Sequence, residues 1–419
     1  MNMKKVYNVL AVMMLAAIMS SCSQKNNDTF IVVANESDLP RENETVEILF
    51  KALQDINEGL TAENVVILDA EGKQVPSQVY TEADSTTVKL VFQASVKAGE
   101  TVEYKVQKGV REDYPVKAYS RHVPERKDDY AYENNKVAGR IYGPALNGPN
   151  DPRTFGSDIW LKSTERMVID ERYYNELEKG ISYHHDYGEG MDCYKVGNTL
   201  GGGALVPHVL EQKEIAGENF VLQKEKLVYD VVGSVITGNN WATCKHVCNG
   251  PVRTKAVFTY EPFNVGNVKY SAVRELELDA NTHFVKWVTT FIPEEHKADS
   301  MVVQLAAIKH DVIAEHVDKE WVAFTEKASD PQDNEQPGNI SVAVVYDPAD
   351  LADNPIKYNG TSPDGHACIV TKEAVNKPIT VWTGSGWSKA GIDSPEKWTE
   401  MVKNFAYAQK HPLNVTIKK

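Results

Sequence analysis

From Phe30 onward the apolar residues recur in short runs: FIVVA at 30, VVIL at 65, TVKLVF at 87 and TVEYKV at 101. Turn-forming segments such as Ala70-Glu71-Gly72-Lys73 and Lys97-Ala98-Gly99-Glu100 separate them, which predicts a small β-sandwich or barrel over residues 30–109. ETVEILFKAL, from Glu44 to Leu53, fits an edge strand or a helical turn. Residues 110–129 are densely charged and predict a linker to a second domain, 130–419. There the runs are longer and more aromatic: TKAVFTY at 254, AVRELELD at 272, HFVKWVTTFI at 283, VVQLAAI at 302 and ISVAVVY at 340. Polar and apolar residues alternate in AVRELELD and HFVKWVTTF, as in strands with one wet and one packed face, so antiparallel sheets and an all-β fold are predicted. The polar segment Glu315–Asn339 predicts a surface excursion. One helix is well signalled: Ser394 as N-cap, Pro395 at the first position, and Trp398, Met401, Val402 and Phe405 on one face, ending at His411-Pro412. It is expected to pack on a sheet before a closing strand, Leu413–Ile417.

The amino-terminal residues read as an export signal. Lys4 and Lys5 precede an apolar run too short to span a bilayer comfortably, and Met19-Ser20-Ser21-Cys22 places small residues before a cysteine. This predicts a lipoprotein signal over 1–21, lipidation of Cys22 and a polar tether over 22–29, so the chain meets the membrane through its lipid anchor only. The tether SQKNND lacks an acidic block, which favours the periplasmic side of a Gram-negative envelope. The formal charge of −14, two units more negative without the leader lysines, argues against general nucleic-acid binding. Neither a Gly-rich phosphate loop nor a βαβ rhythm supports nucleotide chemistry. Cys244-Lys245-His246-Val247-Cys248 lacks the second ligand pair of a structural zinc site, so a local disulfide or buried thiols are expected and no metal site is assigned. The sequence requires no cofactor, and participation of Ca²⁺ is left open.

Ionisable, aromatic and glycine residues crowd together between Ile181 and Gly203, ISYHHDYGEGMDCYKVGNTLGGG. Tyr183, His184, His185, Asp186, Tyr187, Glu189, Asp192, Tyr194 and Lys195 provide nearly every side chain used in proton transfer, and the glycines relax the backbone around them. The alternative is a loop whose polar groups satisfy one another.

Four segments together resemble domain-of-unknown-function family 4861 of polysaccharide-utilisation gene clusters: DDYAYENNKVAGRIYGPAL from Asp128, YHHDYGEGMDCYKVGNTLGGGA from Tyr183, NGPVRTKAVFTY from Asn249, and GSGWSKAG followed by the Trp398 helix. The amino-terminal domain, with Leu39-Pro40-Arg41 and Val75-Pro76-Ser77-Gln78, is similar to those preceding rhamnogalacturonan lyase catalytic domains. The resemblance implies a large antiparallel β super-sandwich like those of sugar mutarotases and polysaccharide lyases, and it assigns no reaction. Lyase-like β-elimination on an acidic oligosaccharide or polysaccharide needs a cation for the uronate carboxylate, a base and an acid. Arg140 or Arg253 would supply the first, His185 or His184 the second, and Tyr187 or Tyr194 the third. Tyr142, Lys195, Asp192 and Trp387 complete the expected substrate-binding set. In an extended stretch Tyr183, His185 and Tyr187 share one face, which favours His185. A mutarotase or epimerase would pair a histidine with Glu189; a hydrolase would use Glu189 and Asp192. A non-catalytic glycan-binding lipoprotein would present Trp160, Trp241, Trp382 and Trp387 as platforms.

Overall fold

The computed structural model describes residues 28–197, 199–208, 210–213, 228–231, 238–265, 268–294, 302–328, 336–347, 349, 351–359, 365–371 and 376–419. The expected signal, Cys22 and most of the tether lie outside the described residues. The amino-terminal strands are β1 (Thr29–Ala34), β2 (Arg41–Leu49), β3 (Val65–Leu68), β4 (Ser77–Thr81), β5 (Val88–Val96) and β6 (Thr101–Lys108). Helix α1 (Phe50–Ile56) follows β2 directly, so the ambiguous ETVEILFKAL is strand first and helix second. Alternation along β1, where Ile31 and Val33 are buried, turns one face onto a core shared with Leu90, Phe92 and Val106.

About a third of the expected linker is sheet. After irregular residues 109–117, β7 (Ala118–Val123) pairs with β8 (Asp129–Asn134), and β9 (Ala138–Ile141) and β10 (Asp158–Trp160) extend the sheet. Its charged residues misled because β7 buries only alternate positions. Helix α2 (Ile169–Lys179) follows, with no sequence expectation behind it.

The remaining strands are β11 (Ala204–His208), β12 (Leu210–Lys213), β13 (Val228–Val231), β14 (Trp241–Cys248), β15 (Arg253–Val265), β16 (Val268–Asp279), β17 (Phe284–Pro293), β18 (Val302–Lys309), β19 (Val312–Val317), β20 (Trp321–Lys327), β21 (Asn339–Tyr346), β22 (Leu351–Asn359), β23 (Gly365–Thr371) and β24 (Ile379–Trp387). They build an eight-stranded antiparallel sheet, order β14-β15-β16-β17-β24-β21-β20-β19, and a four-stranded sheet, order β11-β18-β23-β22. One face of the eight-stranded sheet packs, through Phe258, Leu276, Trp287 and Phe324, on residues of β8, β9 and β11 in the main core. The expected surface excursion is wrong at β20, whose WVAFTE is buried throughout within that sheet. Flanking charges hid a short apolar run.

Helix α3 (Pro395–Lys410) forms as predicted. Ser394 Oγ accepts the Lys397 amide at 3.2 Å, and Trp398, Val402 and Ala406 bury the inner face against β20 and β21. The closing strand β25 (Asn414–Lys418), expected with the second domain, pairs instead with β1, from Phe30↔Lys418 to Ala34↔Asn414. Leu413, Val415 and Ile417 pack on the amino-terminal core, which explains the choice.

Candidate functional site

Residues 182–192 do not run extended. Helix α2 ends at the left-handed Gly180, and the chain turns, the His185 amide donating to the Ser182 carbonyl at 3.4 Å. Further on, Leu161 and Met191 exchange backbone hydrogen bonds of 2.9 and 3.1 Å, pinning the stretch against the chain that leaves β10. Gly190 allows this approach: at φ 108, a Cβ there would lie 2.0 Å from the Leu161 carbonyl oxygen. That glycine serves a backbone contact, not a ligand. The alternation that grouped His185 with Tyr183 and Tyr187 therefore does not apply.

The stretch folds over a buried guanidinium. Arg140, on β9, donates Nε to Asp158 (2.8 Å), Nη2 to Asp192 (3.1 Å), and Nη1 to Asp129 (3.4 Å) and the Tyr183 hydroxyl (3.1 Å). The rings of Tyr142, Trp160 and Tyr183 surround it, their centroids 5.2–5.6 Å from the guanidinium carbon. Burial opposes the Arg140 charge, but Asp158 and Asp192 hold it protonated. Burial and the neighbouring Asp192 charge push Asp158 up to about 8 despite Arg140, and burial likewise raises Asp129. A second arginine joins the cluster: Arg126, whose Nη1 lies 3.9 Å from Asp129. Arg126 is 28% exposed and His184 20%, so these two side chains form the cluster's solvent-facing edge. Arg126 closes a short 3-10 turn, and Lys127 and Asp128 after it both take positive φ, 48° and 60°. Its sequence context, a charged connection, concealed it.

His184 is held in one tautomer. Its Nδ1 lies 2.9 Å from the Asp192 carbonyl oxygen, which can only accept, so Nδ1 carries the hydrogen and Nε2 keeps the lone pair in the neutral ring. The Tyr183 ring lies beside it, centroids 4.8 Å apart. This is the geometry of a positioned general base next to a phenol that already accepts from a guanidinium.

The other expected residues scatter. His185 is half-buried with its ring against exposed Tyr187, and Lys195 is exposed. Glu189 is paired with exposed Arg166, whereas Asp192 lies in the buried cluster, so the two carboxylates proposed for hydrolysis have different partners. Tyr194 is buried, too deep for a surface acid. Its hydroxyl has no hydrogen-bond partner among the described residues, its ring meets His310 at 5.3 Å, and burial holds the phenol protonated. Nearby Glu326 accepts the His310 amide at 2.8 Å through Oε2.

Arg253 belongs elsewhere. Its guanidinium is bidentate to Asp279 (2.6 and 2.9 Å) and pairs with Glu277 (3.1 Å), Glu47 and the Tyr80 hydroxyl. Burial would raise Glu277, but Arg253, Lys286 and Lys255 pull it down to about 2. The NGPVRT turn is gripped by Gln78, which accepts the Arg253 amide (2.9 Å) and donates to its carbonyl (3.0 Å), so this family segment and Val75–Gln78 meet at the seam of the two domains. Arg140 and Arg253 share no partner, and neither retains a face for a substrate carboxylate; that expectation is corrected. Trp160, Trp241 and Trp387 are buried, the last donating to the Pro337 carbonyl at 2.6 Å, and Trp382 packs on Phe405, so none forms an exposed platform. Cys244 and Cys248 are free thiols, and among the described residues no group of three His, Cys, Asp or Glu is arranged to hold a metal ion.

Comparisons with known proteins place this geometry. An uncharacterized protein, P7, of Formosa agariphila is 28% identical over 428 residues, covering 96% of this chain and 97% of its own. Among solved structures, a protein in the glycosyl hydrolase family 38 from Enterococcus faecalis superposes with a TM-score of 0.51 at 10% identity, over 94% of this chain and 48% of its own. An alpha-mannosidase from the same organism gives 0.50 at 10% identity, over 98% and 48%. The chain spans about half the length of these two structures, and the likeness is one of fold. The family model of the domain of unknown function DUF4861 matches residues 33–415, and the chain belongs to that family.

Proposed function

We propose that the chain is a carbohydrate-active protein that transfers protons at the edge formed by His184 and Arg126, most simply in lyase-like β-elimination on a uronic-acid oligosaccharide. The observation that carries the reading is the His184 Nδ1 hydrogen bond to the Asp192 carbonyl, which leaves Nε2 as the base for a carbon-bound proton. Arg126, partly exposed, replaces Arg140 and Arg253 as the cation facing a substrate carboxylate, and the imidazolium formed on His184 returns its proton to the leaving oxygen, in place of Tyr187 and Tyr194. The glycosyl hydrolase and mannosidase neighbours support a carbohydrate substrate at the level of fold. Lipidation of Cys22 and a periplasm-facing position belong to the same proposal; Cys22→Ala would then leave the chain uncleaved or out of the detergent phase.

One observation favours mutarotation or epimerisation as the second reading: Arg126 already lies near Asp129, which weakens its pull on a carboxylate. The test is a panel of uronic-acid polysaccharides followed by the ultraviolet absorbance of unsaturated ends. His184→Asn keeps the donor to Asp192 but removes Nε2, and turnover should fall roughly 10²–10⁴-fold with an unchanged melting temperature. Full activity in that variant would sink the assignment. Loss of absorbance with retained sugar interconversion would select the second reading.

A further inference from the structure

Helix α3 covers β20 and β21 but stops short of the edge strand β19. Ala314 on β19 pairs with Thr325 on β20, and His316 pairs with Ala323, so two alanines lie where larger side chains would have reached the helix. A groove of about 470 Å³ remains between this edge and α3, within the ~300–1,000 Å³ usual for small-ligand sites. Its helical wall is polar: Glu396, Thr399, Glu400 and Lys403 recur at i, i+3, i+4 and i+7. At its other side the exposed His316 ring lies flat on buried Trp321, centroids 5.2 Å apart and 16° from parallel. None of these residues belongs to the Arg140 cluster.

We propose that this groove is a binding site for neutral saccharides, separate from the His184 centre. Glu315, Glu396 and Glu400 accept hydrogen bonds from sugar hydroxyls, Thr399 can donate or accept, and the exposed His316 ring, backed by buried Trp321, offers a flat face to a pyranose ring. Glu396 and Glu400 against the single Lys403 make the groove unfavourable for a uronate. The proposal extends the carbohydrate reading to a second site whose ligand differs in charge from the substrate proposed above.

The full chain is titrated with mannobiose, xylobiose, cellobiose and digalacturonate, with calorimetry and tryptophan fluorescence as readouts. At least one neutral disaccharide should bind, more tightly than digalacturonate. Ala314→Leu, which fills the floor from an edge strand, and Glu396→Gln with Glu400→Gln, which leaves the shape intact, should each weaken that binding at least tenfold. His184→Asn should leave it unchanged, so failure of the catalytic reading is distinguishable from failure of this one. The proposal is overturned if no neutral disaccharide in the panel binds, if binding survives both variants, or if digalacturonate binds equally well.

Discussion

Glu326 lies fully buried on β20 with one oxygen on the His310 amide and the other without a hydrogen-bond partner among the described residues, and burial lifts its carboxyl to about 8. The folded state therefore holds a proton that the unfolded chain releases above about 4.5, so the protein loses stability as pH rises from there to about 8. Glu326→Gln keeps an acceptor and removes the ionisation. Its stability advantage over the wild type should grow by up to about 1 kcal/mol per pH unit across that window and then level off, as denaturant midpoints at several pH values would show. A flat difference would mean that Glu326 is already solvated. Glu133 is also wholly buried, but both its oxygens are partnered. Its carboxylate takes the Lys162 ammonium at 2.6 Å and caps α2 by accepting the Val168 and Ile169 amides at 2.8 and 2.9 Å, with both charged side chains wholly buried. Glu133→Ala should cost about 3–5 kcal/mol by urea denaturation, because it leaves the buried Lys162 charge with only the Asn134 and Arg166 carbonyls and no counterion, and uncaps α2. Lys162→Met should cost less, since the carboxylate keeps its two amides. Equal costs would argue against the capping role.

At the level of elements, the contrast between α2 and α3 shows which parts of the fold were legible. Everything that starts α3 is local: Ser394, Pro395 and an apolar stripe at helical spacing, with Trp398 wedged beneath Gly384 and Gly386. Ser394→Ala should therefore cost about 1 kcal/mol and Trp398→Ala about 3–5 kcal/mol in equilibrium unfolding; a negligible effect of the second would contradict the packing described. Helix α2 has no capping side chain of its own, and the carboxylate at its start comes from β8, 36 residues upstream of Ile169. The sequence offers Asp170, Glu171 and the closing Lys179-Gly180 as helix signals, but no N-cap fixes where it starts. The candidate site divides in the same way. The crowding at 181–203 is visible in the sequence, but Asp129, Asp158 and Arg126 reach Arg140 from other segments, and the turn at 182–185 breaks the alternation that would have ranked the histidines. Arg253 looked like a free cation because Glu47 and Tyr80, two of its partners, lie on amino-terminal strands.

The whole molecule is closed by its last strand. β1 is flanked by β6 on one side and β25 on the other, and the Asn414–Glu36 hydrogen bond beside this pairing spans 378 residues. Deleting residues 412–419 should bare the β1 edge and remove the contacts of Leu413, Val415 and Ile417. A loss of about 2–5 kcal/mol in amino-terminal stability is expected, read as lost amide-exchange protection in β1 while α3 stays protected. Equal loss in both would mean that the two regions unfold as one unit. The same closure sets a timetable for folding. β1 cannot meet β25 until the residues up to Lys418 have been made, and a loop of that size is slow to close. During that interval β1 presents an unpaired edge of the kind that recruits strange strands, so a helper that shields extended segments, or slow release from the machinery that makes the chain, would raise the yield of native protein. Prematurely terminated chains would be marked from their first strand onward as unfinished, and therefore as substrates for proteolysis.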